Sequence, residues 1–137
     1  MNKLTALKQF LNAFDQDGED LTMEALALGA SLISEEHNEL QAEFDKVMGH
    51  HLKSISPVPQ EIMEAFIKEL ADLVYVCYWT AARFDIDLDE AFLRVHLSNL
   101  SKTGPDGKVT KAPNGKVLKP EGYHKPKLAD LAMRAQR

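Results

Sequence analysis

The sequence predicts an all-α fold of four main helices, forming a helical bundle that a second copy of the chain completes. Apolar residues recur at three- and four-residue spacing in four stretches, the period of one helical face. Turn signals gather at Asp15–Gly18, at Ser54–Pro59 and beyond Lys102. The second and third stretches are apolar on several sides, which asks for burial on more than one face. A homodimer, or a dimer of dimers, meets that need.

The first helix is expected over Lys3 to Phe14, with Leu4, Leu7, Phe10, Leu11 and Phe14 on one side. Asp15-Gln16-Asp17-Gly18 stops it. The second helix is expected from Thr22 to His50, ended by Gly49 and the Ser54–Pro59 stretch. The third runs from Pro59, where proline suits a first turn, to Phe84. Asp87 with Glu90 three residues on forms a capping pair for a fourth helix carrying Leu88, Phe92, Val95 and Leu100. After Lys102 the composition turns to loops. Pro113-Asn114-Gly115 has hairpin chemistry, with short strands expected at Lys108–Lys111 and Lys116–Lys119. Leu128–Arg134 is read as a last short helix.

The chain has 137 residues, 45% hydrophobic and 27% charged, which suits one soluble globular domain. Within it, residues 1–102 are expected to form the metal- and nucleotide-binding bundle. Residues 103–137 are expected to form a basic tail serving a phosphate site or the dimer. The sole cysteine, Cys77, excludes a disulfide within the chain and fits a reducing cytoplasm. The first residues lack a signal-peptide pattern, and no apolar run is long enough to span a membrane. Residues 1–100 hold 7 Lys/Arg against 18 Asp/Glu, while residues 101–137 hold 9 against 3. An acidic body that gathers cations and a basic tail that meets phosphates fit this division. General nucleic-acid binding fits it poorly, because the tail offers few aromatics for stacking on bases.

Two acidic clusters interrupt the helical apolar pattern. Glu35, Glu36 and Glu39 lie among Leu28, Leu32, Ile33 and Leu40; Glu69 and Asp72 lie in a segment otherwise rich in Leu, Val, Tyr, Cys and Trp. At three-residue spacing, Glu36 and Glu39 share a face, as do Glu69 and Asp72. Carboxylates gathered in a partly buried place repel each other and lose hydration, and a hard cation relieves both costs. No lysine stands at the i+4 positions of the first cluster, and Lys68 is assigned to another face of the second. The pattern therefore reads as a divalent-metal site between two helices. A di-iron bundle would need Glu-x-x-His pairs on helices. Only Glu121 and His124 have that spacing, and they lie in a Gly/Pro loop. Zinc would call for clustered His and Cys. Carboxylate ligation favours Mg2+, with Mn2+ the alternative, and such ions serve phosphate chemistry.

These residues resemble the MazG-like superfamily of all-α nucleoside triphosphate pyrophosphohydrolases. The shared pattern is EExxE followed by ExxD, here Glu35-Glu36-His37-Asn38-Glu39 and Glu69-Leu70-Ala71-Asp72. The stretch Val95-His96-Leu97-Ser98-Asn99-Leu100-Ser101-Lys102 is similar to the VHxSNxSK run of the phosphoribosyl-ATP-pyrophosphohydrolase-like branch. Asp106-Gly107-Lys108, Gly115–Lys119 and Gly122-Tyr123 resemble that branch's tail. The likeness covers about residues 7–128.

The resemblance implies that Glu36, Glu39, Glu69 and Asp72 bind Mg2+. It implies that Glu35 helps hold a second ion or acts on the attacking water. Asn99 and Lys102 would meet the triphosphate, Lys102 as a catalytic cation, with Lys119 and Tyr123 closing over it. Asn38, the first helix and Trp79 would form the base pocket. Without the resemblance, Asn99 and Lys102 read as a helix C-terminal cap and Trp79 as core. The implied reaction converts a nucleoside triphosphate, such as dUTP or dCTP, to the monophosphate and pyrophosphate. The alternatives are action on phosphoribosyl-ATP and a non-catalytic helical metal-binding or interaction protein.

Overall fold

The computed structural model describes residues 1–18 and 20–136. Among them the helices are α1 (Lys3–Ala13), α2 (Met23–Lys53), α3 (Gln60–Arg83), α4 (Leu88–Leu100) and α5 (Ala129–Arg134). The all-α expectation holds. The chain clusters into two compact units that meet at Asp85 and Ile86, so α4 groups with the C-terminal segment rather than with residues 1–85. None of the described helices is long and apolar enough to cross a membrane.

In the N-terminal unit, Asn2 caps α1 by accepting from the Thr5 N–H at 2.8 Å, and Thr22 caps α2 by accepting from the Ala25 N–H at 3.2 Å. Helix α2 continues through Gly49 and His50 to Lys53, past the expected stop. A helical glycine costs about 1 kcal/mol, less than abandoning the surrounding ladder. Extended backbone at Ser54 ends the helix instead. Pro59 stands one residue before α3 as its N-cap, not in the first turn. It has no N–H to leave unsatisfied there. After α1 and α3, Asp15 and Asp85 take the left-handed conformation, with φ of 52° and 50°.

Helix α3 packs against both α1 and α2. Leu7 and Leu11 of α1 close on Trp79 and Ala82 of α3, with Leu4, Phe10, Leu32 and Tyr78 around them. Phe84 is fully buried. Helices α2 and α3 run antiparallel, as their contacts reverse in order: Gly29 faces Thr80 and Trp79, and Phe44 meets Phe66 edge-on at 4.8 Å between ring centroids. Gly29 allows the close approach. A Cβ there would stand 3.2 Å from Thr80 Oγ1 and 3.4 Å from Trp79 Cζ3.

In the C-terminal unit, Asp87 caps α4 by accepting from the Glu90 N–H at 3.1 Å, as the pair of acids predicts. Hydrogen bonds tie α4 to the tail. Ser98, which is buried, donates to the His124 carbonyl at 2.8 Å, and Arg94 donates to the Lys127 carbonyl at 2.8 Å. Arg94 also grips both carboxylate oxygens of Asp130 at 2.6 and 3.0 Å. The two expected strands contract to a single antiparallel bridge, Lys111 to Val117. A short hairpin without a third strand gains too little to extend further.

Candidate functional site

Three carboxylates converge in the N-terminal unit. One oxygen each from Glu36 of α2 and from Glu69 and Asp72 of α3 lie within 4.8 Å of one another. All three residues are half-buried. Helical spacing stacks Glu69 and Asp72 on one side of α3, and the antiparallel neighbour brings Glu36 across to them. The buried Oε2 atoms of Glu36 and Glu69 have no hydrogen-bond partner. Such atoms are uncommon in native structures and call for a donor or a cation.

The electrostatics agree. Burial pushes the Glu36 carboxyl above its ordinary value, helped in order by Glu39, Asp72, Glu69 and Glu35. Glu39 is also raised, first by burial and then by its side-chain hydrogen bond to Glu69. Loss of hydration and like charge thus act together on these acids. Glu39 and Glu35 are exposed at the rim, and Glu35 acts on both through its charge.

Lys68 corrects the sequence reading. It does not lie on another face: its Nζ stands 2.6 Å from Asp72 Oδ2 and 3.1 Å from Glu69 Oε1. Those hydrogen bonds, Asp72 first, hold its ammonium above the usual lysine range. Its side chain is 65% exposed, so it caps the acid layer from the solvent side and leaves the two inner oxygens unpartnered. Three hard oxygen donors, two of them holding unpartnered buried atoms, fit Mg2+ or Mn2+.

Glu43 is a residue that sequence reasoning missed. It is buried one turn beyond Glu39; its Oε1 accepts from Lys46 Nζ at 2.6 Å, and its Oε2 is unpartnered. Its spacing, four after Glu39 and seven after Glu36, was the available signal. Trp79 is a core residue and not a base platform. It is 3% exposed, and its Nε1 donates to Gln16 Oε1 at 3.1 Å. Asn38 is exposed on α2.

The remaining expected site residues belong to the C-terminal unit. There Lys102 Nζ donates to Asn99 Oδ1 at 2.8 Å, and Lys119 Nζ lies 5.0 Å from the centre of the Tyr123 ring. The C-cap of α4 is Ser101, whose N–H donates to the Leu97 carbonyl. The Asn99 and Lys102 side chains therefore pair with each other and do not cap the helix.

No curated protein matches the chain. A family model described as phosphoribosyl-ATP pyrophosphohydrolase matches residues 7–99. That stretch takes in most of α1, all of α2 and α3, most of α4 and every acid of the two motifs, and it stops short of Lys102, Lys119 and Tyr123. Matched over about two thirds of its length, with the converging acids inside the match, the chain belongs to the phosphoribosyl-ATP pyrophosphohydrolase family.

Proposed function

We propose that this chain is a Mg2+-dependent nucleotide pyrophosphohydrolase that releases pyrophosphate from a nucleoside triphosphate. The observation that carries the proposal is the meeting of Glu36, Glu69 and Asp72 around two unpartnered buried oxygens. Family membership implies a pyrophosphohydrolase of the MazG-like type, a hydrolase acting on acid anhydrides. Within that reading, Glu36, Glu39, Glu69 and Asp72 hold the ion. Bound there, it supplies positive charge against the phosphate oxygens and makes water more acidic. Glu35, exposed at the rim, accepts the proton of the attacking water. The attack splits the α–β anhydride and leaves the monophosphate and pyrophosphate. Lys102 meets the charge that grows on the departing pyrophosphate, and Asn99 orients the phosphates, roles that rest on the SNxSK motif. Lys119 and Tyr123 close over the same group by the tail motif.

The preferred substrates in this reading are small nucleotides such as dUTP or dCTP. A second reading, with phosphoribosyl-ATP as substrate, is favoured by the description of the matched family. A panel of both kinds with pyrophosphate detection separates them. In either case, Glu39→Gln or Asp72→Asn lowers turnover at least about 100-fold, the loss expected for removing a charge-stabilising group. Unchanged pyrophosphate release in both variants rejects the assignment.

We also propose a homodimer, with a dimer of dimers as its extension. An open apolar groove of about 440 Å3 between α1 and α3, edged by exposed Ile67, Leu70, Val74 and Tyr75, supports it. Light scattering that returns a monomer at micromolar concentration would remove this part of the proposal.

A further inference from the structure

Ser98 and Ser101, the two serines of the SNxSK run, grip a single residue of the tail. Ser98 Oγ donates to the His124 carbonyl at 2.8 Å, and Ser101 Oγ accepts from the His124 N–H at 3.1 Å. The Ser101 hydroxyl spends its own proton on the Ser98 carbonyl at 2.6 Å, which leaves its lone pairs for His124. Both main-chain groups of His124 are thus held from one turn of helix, while its side chain is exposed. Such a clamp fixes where the residue stands and not which residue it is.

Apolar packing does not explain the clamp. Among the described residues, Ser98 is the one that α4 buries, whereas Phe92 and Leu97 of the same helix are exposed. A buried hydroxyl is costly unless its hydrogen bond is made.

The position so fixed lies among groups of the proposed site. Asn99 follows Ser98, Lys102 follows Ser101, and their side chains pair at 2.8 Å. Tyr123 precedes His124. Its N–H closes a turn on the Pro120 carbonyl at 3.0 Å, and across that turn Lys119 Nζ lies 5.0 Å from the centre of its ring. The clamp therefore sets where this turn stands relative to the end of α4.

Resting on the pyrophosphohydrolase reading, we propose that Ser98 and Ser101 are positioning residues. Through the main chain of His124 they hold Tyr123 and Lys119 beside the end of α4 that carries Asn99 and Lys102, so that both pairs meet one triphosphate. Neither serine touches substrate. Groups held in advance lose little freedom when the phosphates arrive, and misplacing them by about 1 Å costs up to about 100-fold in rate.

The test compares Ser98→Ala, Ser101→Ala and Ser101→Thr with Asp130→Asn, all in the full chain. Asp130 anchors a later point of the tail, through Arg94, and so reports what loosening the tail does by itself. With the triphosphate that the wild type hydrolyses, kcat/KM should fall at least about tenfold in both alanine variants. Ser101→Thr, which keeps the hydroxyl, and Asp130→Asn should stay near wild type, and Mg2+ binding should be unchanged throughout. Because the serines act through Tyr123, adding Ser101→Ala to Tyr123→Leu should cost less than about threefold more. Either alanine variant suffices if the other fails to fold. Additive losses, an equal loss in Asp130→Asn, or alanine variants within about twofold of wild type overturn the proposal. Amide exchange reads the clamp without activity: the His124 N–H should exchange at least about tenfold faster in Ser101→Ala and not in Asp130→Asn. A wild type that releases no pyrophosphate rejects the proposed function, whereas His124 exchange unchanged in Ser101→Ala rejects the clamp, so the two fail separately.

Discussion

Glu36→Gln should make the metal-free protein more stable while removing its response to Mg2+. The ligating oxygen of Glu36 lies within 4.8 Å of those of Glu69 and Asp72. Two unit charges at that separation repel by about 0.9 kcal/mol even in bulk-water dielectric, and by more in a half-buried setting. Glu36 has two such neighbours, and Lys68 offsets part of their charge. A net relief of about 1 kcal/mol remains when the carboxylate becomes an amide, and the amide N–H can also donate to the neighbouring acids. For a chain of this size that raises Tm by roughly 3 °C. The wild type should gain about 2.7 kcal/mol from Mg2+ at a hundred times its Kd, and the variant little or nothing. Paired thermal melts in EDTA and in Mg2+ read both effects. A variant that melts lower than wild type in EDTA and still gains fully from Mg2+ refutes the reasoning, because the acids would then be neither in mutual conflict nor metal ligands.

The same raised acids set a pH dependence. Glu36 and Glu39 lie above the ordinary carboxylate value of 4.5, so between that value and their own the folded chain holds more protons than the unfolded one. Metal-free stability from this source therefore falls as pH rises through that window and is greatest on its acid side. Subtracting the melts of Glu36→Gln isolates it, and a difference that grows with pH in the opposite sense refutes it. Lys68→Met should lower metal-free stability and bind Mg2+ roughly fivefold more tightly, since a competing cation leaves the site; calorimetry measures the second effect. Gly29→Leu should cost about 1–3 kcal/mol by overpacking against Thr80 and Trp79, and should weaken Mg2+ binding as α2 is forced outward. Chemical denaturation and metal titration of one preparation test both.

The sequence alone revealed what depends on local period. Helical spacing pairs Glu36 with Glu39 and Glu69 with Asp72; Glu36, Glu69 and Asp72 converge, while Glu39 stays exposed at the rim. Asp87 was read as a cap from its offset to Glu90 and does cap. What stayed hidden depends on reach or on partners distant in sequence. Lys68 is set on another face, although it stands four residues before Asp72, the spacing that makes helical side chains neighbours; its flexible stem carries the charge to Asp72 and also back to adjacent Glu69. Gly49 looks like a stop, but its φ is not positive and α2 passes through it. The boundary expected at residue 102 follows a change in composition. The contacts instead follow Arg94 and Ser98, whose partners lie more than twenty residues away in the tail. Trp79 could be placed only once Leu7 and Leu11 were known to close on it.

The acid layer and the core around it are parts of one packing problem. Glu36 lies about 10 Å along α2 from Gly29 and about 12 Å from Phe44. At the first position α2 and α3 approach as closely as a residue without a side chain allows; at the second, Phe44 and Phe66 interlock. Fixed at both ends, the helices cannot spread in the middle to let the carboxylates separate. Burial first, and like charge after it, instead raise the protonation of Glu36 and Glu39, beside two oxygens without partners. Leu40 and Val76, buried on the same two helices, stabilise the pair by burying apolar surface and offset that cost. The separation of the acids is therefore held by apolar contacts on either side of them, and a cation would find its ligands already assembled. This is why a substitution at Gly29, well away from any acid, is expected to change metal affinity as well as stability.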